Sequence, residues 1–169
     1  MDDFRDFEEI YKKYYTRLYS FLYKMCRNPD LCEELTQESF YQALCSFHRY
    51  DGSCTIFTWL AAVAKNTFLK HLRKNKNASV DLEPFVEVLA GSESEQPELL
   101  FQREARQKLV RESIDALPKK YRDVIILRVY GDLPFAEIGA SLGITENSAK
   151  VIFFRAKNTL KEILTDEIM

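Results

Sequence analysis

The sequence predicts an all-α protein made of two small helical domains, the second of which contains a helix-turn-helix. Apolar residues recur every three or four positions along most of the chain, which is the period of an amphipathic helix. No strand-like alternation of useful length interrupts the pattern. Periodicity fades in an acidic stretch containing Pro, Gly and Ser, which predicts a flexible linker at residues 80–97 between domains at residues 1–79 and 98–169.

Composition limits the class of protein. The chain has 169 residues, of which 46% are hydrophobic and 30% charged, so it can form apolar cores and differs from disordered sequences. Its start is acidic, and no apolar run approaches the roughly 18 residues of a membrane span. We therefore expect a cytoplasmic protein without membrane insertion.

The cysteines do not form a metal-binding pattern. No C-x-x-C pair occurs among the four, and the sequence has only two histidines. We expect reduced thiols, no metal and no cofactor, the four cysteines being Cys26, Cys32, Cys45 and Cys54.

Two helices are predicted at the start of the chain. An apolar stripe covers residues 4–25, and Asn28-Pro29 ends it. Asp30 is the predicted cap of the second helix, whose apolar side includes Leu35, Phe40, Ala43, Leu44 and Phe47. The opposite face is acidic and rich in amides, and it is either a solvated face or a docking surface for a basic partner. Its residues include Glu33, Glu34, Gln37 and Glu38.

A loop and a third helix carry a pattern that suits single-stranded nucleic acid. Residues 50–55 read as a loop that ends at Thr55, the predicted helix cap. One side of the following helix carries an aromatic ring, an amide and two cations, namely Trp59, Asn66, Lys70 and Arg73. Such groups can stack on bases, bond to their edges and neutralise phosphates. Packing of Trp59 in the core is the competing interpretation.

The C-terminal half predicts three more helices before the chain ends in a fourth. Residues 98–116 and 119–130 are helical in pattern, and Asp132 is the predicted cap of the next helix. Gly139 permits a close crossing, Gly143 a left-handed turn, and Thr145 caps the last helix. That helix has a small and apolar stripe at Ala149, Phe153, Ala156 and Leu160 and offers amide, basic and aromatic groups on its other face. This is the layout of a recognition helix in a major groove, although an ordinary helical hairpin with solvated charges shares it.

Several of these motifs, in order, resemble the bacterial RNA polymerase sigma factors, in particular the short two-domain extracytoplasmic-function (ECF) group. Residues 30–40 are similar to the region 2.2 signature of that family. The segment that melts and reads the minus-10 element resembles residues 57–60, 64–66 and 71–74. Region 4 is matched at residues 117–118, 121–122, 137–138, 142–143 and 155–157. The resemblance covers most of the chain.

The resemblance implies a promoter-specificity subunit that binds core RNA polymerase and directs transcription initiation at minus-10/minus-35 promoters. Its implied partners are core RNA polymerase, promoter DNA and a cognate anti-sigma factor. The implied polymerase-binding residues are Glu33, Glu34, Gln37 and Glu38. The implied minus-10 residues are Tyr50, Asp51, Ser53, Trp59, Lys65, Asn66, Lys70, Arg73 and Lys74. The implied minus-35 residues are Glu146, Asn147, Lys150, Val151, Phe154 and Arg155.

The chain departs from the family at three of these positions. Lys70 stands where the family usually has aspartate, Gly139 where it has alanine, and Ala149 where valine is common. Two other functions remain open from the residues: a free-standing helix-turn-helix regulator that binds duplex DNA by itself, and a helical adaptor that binds only proteins. No carboxylate pair, nucleophile constellation or phosphate loop is present, so we expect no enzymatic activity.

Overall fold

The computed structural model describes residues 3–75, 80–81, 83–90 and 103–168, and these form eight α-helices, a short 3-10 turn and no strand. The all-α prediction is confirmed. The helices are α1 (Asp3–Cys26), α2 (Pro29–Ser46), α3 (Ile56–Lys74), α4 (Glu83–Ala90), α5 (Arg103–Ala116), α6 (Lys119–Val129), α7 (Phe135–Leu142) and α8 (Glu146–Ile168). The 3-10 turn, Phe47–Arg49, follows α2. We call α1–α3 the N-terminal domain and α5–α8 the C-terminal domain.

The N-terminal domain is a three-helix unit in which each helix packs against the other two. Its core includes Leu18 and Leu22 of α1 and Leu60 of α3, which have no exposed surface. The prediction that Asp30 caps α2 is wrong. Asn28 is the cap, and its side-chain oxygen accepts the backbone N–H groups of Asp30 and Leu31 at 3.1 and 3.3 Å. Pro29 follows at the first helical position, where its missing N–H costs nothing.

The C-terminal domain places the helix-turn-helix, α7 and α8, on α5 and α6. Gly143 ends α7 in the left-handed conformation, with φ of 71°, as predicted. Thr145 caps α8, since its hydroxyl oxygen accepts the N–H of Ser148 at 3.0 Å. The prediction that Asp132 caps α7 is wrong, because Pro134 holds that position without a side-chain bond. Asp132 instead has a φ of 49°, and its N–H donates to the carbonyl of Arg128.

The two domains contact each other directly, because α3 packs against α6 and α7. The backbone of Asp81 joins them at one edge: its N–H donates to the carbonyl of Met25 at 2.6 Å, and its carbonyl accepts the hydroxyl of Tyr130 at 2.6 Å. Arg27 also pairs with the Asp81 carboxylate at 2.8 Å. The N-terminal and C-terminal domains therefore share one buried apolar cluster.

The stretch predicted as a linker contains a helix that the sequence analysis did not predict. Residues 83–90 form α4, with Pro84 in its first turn, and α4 lies against α6 and α8. Residue 82 and residues 91–97 lie outside the described residues, as does Phe101 of the predicted fifth helix.

Candidate nucleic-acid interface

The outward face of α8 presents all six side chains predicted for duplex recognition. Each of them is exposed, while Ala149, Ala156 and Leu160 on the opposite stripe are fully buried. Two of the exposed side chains are large and apolar, Val151 at 45% and Phe154 at 54%. A helix gains nothing from apolar groups in water, so their exposure favours a binding surface.

The charged side chains on this face are exposed and only weakly paired. Lys150 pairs with Glu146 at 3.4 Å, but both side chains are about half exposed, so the ion pair is weak and easily exchanged for another anion. Asn147 and Arg155 are exposed beside it. The face offers hydrogen-bond donors for bases and phosphates together with apolar groups that can contact a thymine methyl.

The loop between α2 and α3 is shaped by its own side chains. The N–H of Ser53 donates to the Asp51 carboxylate at 3.0 Å, which lowers the pKa of Asp51 and keeps that carboxylate charged. Gly52 lies between them with φ of 80°. The Tyr50 hydroxyl donates to the carbonyl of Cys54 at 2.7 Å, and burial raises the pKa of Tyr50. Asp51 and Ser53 remain exposed to a ligand.

Trp59 closes an aromatic corner beside this loop. Its ring lies 5.5 Å from that of Tyr50 and 6.0 Å from that of Phe47, measured between centroids. Trp59 and Tyr50 are half-buried. The Trp59 ring packs against the core and the Tyr50 ring stacks on Phe47, and each keeps one part in solvent. The structure thus combines the two interpretations of Trp59, core packing and display.

An open groove of about 1030 Å³ between α2 and α3 holds residues from two predicted surfaces. Asn66, Lys70 and Lys74 of the predicted minus-10 set line one wall, and acidic and amide residues of α2 line the other. The α2 wall includes Glu34, Gln37 and Glu38 from the predicted polymerase-binding set. Glu33 and Arg73 are also exposed but do not line the groove.

Sequence reasoning missed Tyr41, which is 60% exposed and lines the same groove. Its position, four residues after Gln37 and three after Glu38, puts it on their face of α2. Helical spacing could have identified it. Leu44, predicted on the apolar side, is 36% exposed, so its assignment to the core is wrong.

Lys65 lies apart from the other predicted minus-10 residues. Its side chain is 3% exposed, and its Nζ lies 2.8 Å from Oδ1 of Asp123 in the C-terminal domain, itself 6% exposed. Burial lowers the pKa of Lys65, and the bond to Asp123 partly offsets this. In this arrangement of the domains the Lys65 ammonium meets a carboxylate and not solvent.

A second carboxylate of the C-terminal domain reaches the start of α3. Oε2 of Glu137 accepts the N–H of Thr55 at 2.9 Å and the hydroxyl of Thr58 at 2.8 Å. The Thr55 N–H bond is the main reason why the pKa of Glu137 is lowered. Sequence reasoning missed these contacts, since a local pattern does not show which residues of another domain will approach.

Comparisons with known proteins decide the family. Residues 10–78 match the model of sigma-70 region 2, and residues 107–160 match that of sigma-70 region 4. The ECF RNA polymerase sigma factor SigM of Bacillus subtilis is 31% identical over 160 residues, which are 92% of this chain and 93% of that protein. The chain belongs to the ECF RNA polymerase sigma factors.

A second relative and two solved structures are also similar to this chain. The RNA polymerase sigma factor YlaC of Bacillus subtilis is 26% identical over 158 residues, covering 94% of this chain and 91% of that protein. The fold is shared with CnrH in complex with the cytosolic domain of CnrY, at a TM-score of 0.54 and 18% identity, covering 96% of this chain and 89% of CnrH. It is also shared with RpoE in complex with the anti-sigma factor NepR from Bartonella quintana, at a TM-score of 0.52 and 20% identity, covering 95% and 98%.

Membership confirms the resemblance found in the sequence and establishes the general function. This ECF sigma factor is a promoter-specificity subunit that directs RNA polymerase to initiate transcription. The two regions matched lie inside the predicted domains at residues 1–79 and 98–169. Among the described residues, no helix is long and apolar enough to cross a membrane, and no group of three or more metal-binding side chains occurs.

Proposed function

We propose that this sigma factor divides promoter recognition between two separate surfaces, with α8 reading duplex DNA at the minus-35 element and the α3 face holding the opened minus-10 strand. The observation that supports this division is the exposure of both surfaces on different domains. The protein works by binding and not by catalysis, and it acts in the cytoplasm, where it meets its polymerase. The boundaries of the linker and of both domains remain those predicted from the sequence.

At the minus-35 element, α8 supplies both base contacts and phosphate contacts. Lys150 and Arg155 donate to base edges or phosphates, and Asn147 can form two bonds to an adenine. Val151 and Phe154 contact thymine methyl groups, which gives their exposure a purpose. The weak ion pair of Lys150 with Glu146 can be exchanged for a DNA phosphate.

At the minus-10 element, the aromatic corner supplies the energy that unpairing costs. Extruding a base costs a few kcal/mol, and stacking on a ring such as Trp59 or Tyr50 returns roughly 1 to 3 kcal/mol per base. Asp51 and Ser53 in the loop bond to the edge of the captured base. The cations that line α3 neutralise the strand, namely Lys70, Arg73 and Lys74. Asn66 lies one helical turn before Lys70, and Lys65 joins these residues when the domains separate.

The acidic exposed face of α2, part of which forms one wall of the groove, is the proposed site for core polymerase. Glu33, Glu34, Gln37 and Glu38 give α2 a negative exposed face, which suits a basic partner surface. Tyr41 adds an exposed aromatic ring of the kind enriched in protein interfaces. One structural neighbour is the sigma factor RpoE in complex with the anti-sigma factor NepR, and another is CnrH in complex with the cytosolic domain of CnrY. We infer that a cognate anti-sigma factor covers this same groove in the resting cell.

The experiment is in vitro transcription with core polymerase and a minus-35-dependent promoter. Lys150→Ala or Arg155→Ala should reduce transcription by about 5- to 150-fold, since one good base contact contributes roughly 1 to 3 kcal/mol. Core binding should be unchanged for these variants. Glu34→Lys should instead weaken core binding at unchanged fold, as judged by circular dichroism.

Matched controls lie on α1, away from both surfaces. Lys12→Ala removes an exposed cation, and Glu9→Lys reverses an exposed acid. Both should transcribe normally. Equal transcription by Arg155→Ala and Lys12→Ala would refute the assignment of α8, and duplex binding at the same affinity without polymerase would favour a free-standing regulator.

A further inference from the structure

The interface between the domains brings carboxylates of the C-terminal domain onto Lys65, a member of the proposed minus-10 set, and onto the start of α3. The Asp123 carboxylate pairs with the Lys65 ammonium, and the Glu137 carboxylate accepts hydrogen bonds from the N–H of Thr55 and the hydroxyl of Thr58. An ammonium group and the amino end of a helix are both sites where a phosphate is stable. In the closed arrangement each of these two sites already holds a negative group.

Both occupied sites lie on one side of α3. Thr58 and Lys65 are seven residues apart, which is about two helical turns or roughly 10 Å along the axis. The groove residues Asn66 and Lys70 lie on another side of α3 and stay exposed. Closure therefore blocks one side of α3 and leaves the other open.

The other two proposed surfaces are also free in the closed arrangement. The acidic face of α2 is exposed, and so is the recognition face of α8. A closed molecule could consequently meet polymerase or duplex DNA, while its Lys65 ammonium is withheld from a single strand.

We propose that Asp123 and Glu137 form an interdomain latch, which holds this sigma factor closed by occupying Lys65 and the start of α3 and must release before the opened minus-10 strand is fully bound. The competition with DNA rests on the proposed minus-10 function, whereas the closure itself does not.

The contacts between the domains can be broken at a small cost in free energy. A buried ion pair gives little net stability, because removing both charges from water costs about as much as their attraction returns. Release returns Lys65 and Asp123 to water together, so neither charge stays buried without a partner. A strand phosphate then replaces each carboxylate with a group of the same sign.

The first test is the size of the full chain in solution, measured by small-angle X-ray scattering. A compact chain of this length should have a radius of gyration of about 15 Å. The double variant Asp123→Asn/Glu137→Gln should expand, because Lys65 would otherwise remain buried without its counterion, and the closed population should fall by on the order of a hundredfold. Glu112→Gln/Asp132→Asn removes two exposed acids from the same domain and should stay compact.

An apolar replacement checks that expansion reports the latch and not loss of folding. Lys65→Met/Asp123→Leu fills the same space without charge, which often preserves or increases stability. This variant should remain compact, and circular dichroism should show native helix content in every variant.

The second test is binding of a labelled single strand with the minus-10 sequence at fixed salt. The open double variant should bind on the order of tenfold tighter than the wild type, and Lys65→Met in that background should remove the gain. Absence of expansion in Asp123→Asn/Glu137→Gln would overturn the latch. If the double variant expands but does not bind the strand more tightly, the latch is also overturned, provided that Lys70→Ala still impairs promoter opening. The proposed minus-10 function would stand in that case. If Lys70→Ala and Asn66→Ala leave promoter opening intact in holoenzyme, the proposed function itself fails.

Discussion

Lys65 and Lys70 have the same side chain on one helix and opposite environments. Lys70 is exposed at the groove, whereas Lys65 is buried against Asp123. Both lie in the basic run at residues 65–76, and both belong to the minus-10 set that the family resemblance implies. Helical geometry separates them. Lys70 follows Asn66 by four positions and shares its side of α3, whereas Lys65 precedes Asn66 by one position and therefore lies about 100° away around the helix axis. The helix face of each charged residue in a basic run should therefore be determined before that residue is assigned to DNA binding.

The four cysteines differ in the same way and lead to a prediction at the scale of single residues. All four are free thiols, and only Cys45 is exposed. Burial raises the pKa of Cys32 to about 12, so its reactive thiolate is scarce at neutral pH. We expect one thiol to react rapidly with a maleimide under native conditions and three to react slowly.

Mass spectrometry after brief labelling should find the modification on Cys45. Cys45→Ser should abolish the rapid phase, and denaturant should make the remaining thiols reactive. Rapid modification of Cys26, Cys32 or Cys54 in the native protein would show that the core around α1 and α2 opens readily.

At the scale of elements, the sequence predicted helices better than their caps. The apolar stripes predicted α1 and α8 because each of these helices buries one side against its neighbours over many turns. The caps of α2 and α7 were misplaced, since Asn28 and Asp30 are both good cap residues within two positions and backbone geometry decides between them. The short helix α4 was missed because its eight residues lie in an acidic stretch containing Pro84.

Gly139 gives a prediction for the helix-turn-helix. A Cβ built there would lie 2.8 Å from the carbonyl oxygen of Ile144 and 3.1 Å from the carbonyl carbon of Thr145, both backbone atoms of the turn. Gly139→Ala therefore gains up to about 1 kcal/mol of helix propensity but forces the turn to move, at a cost of roughly 1 to 3 kcal/mol. We expect a net loss of about 1 kcal/mol in the free energy of unfolding.

Urea unfolding of the full chain followed by circular dichroism measures this difference. Ala136 and Ala140 flank Gly139 on the same helix, and Ala136→Gly is a suitable comparison because Ala136 is exposed. It should cost about 1 kcal/mol through helix propensity alone. A stabilised Gly139→Ala protein would mean that the turn moves freely, as the alanine usual in this family would require.

At the scale of the whole molecule, the sequence predicted two domains but not the faces that meet. The interface uses Lys65, Asp123, Glu137 and two threonines, residue types that normally indicate a solvated surface. Lys65, Asp123 and Thr58 are nevertheless buried, because they pair across the domains, and no periodicity of the sequence records that pairing. Individual surfaces such as α8 were predictable because a helix determines its own faces, whereas domain placement depends on contacts between distant segments.

This arrangement predicts that acid favours the open molecule. The closed state lowers the pKa of Glu137 from its ordinary 4.5, mainly through the N–H of Thr55, and release should restore the ordinary value. The open state therefore binds more protons in this range, so the contribution of Glu137 to closure is complete above pH 4.5 and is lost as the pH falls through the lowered value.

Scattering measured between about pH 7 and pH 3 should show the wild type expanding at the acidic end. Glu137→Gln should be more open at neutral pH and should lack this part of the pH dependence, so the difference between the two curves isolates Glu137 from other carboxylates. Identical curves for the two proteins would mean that Glu137 does not contribute to closure.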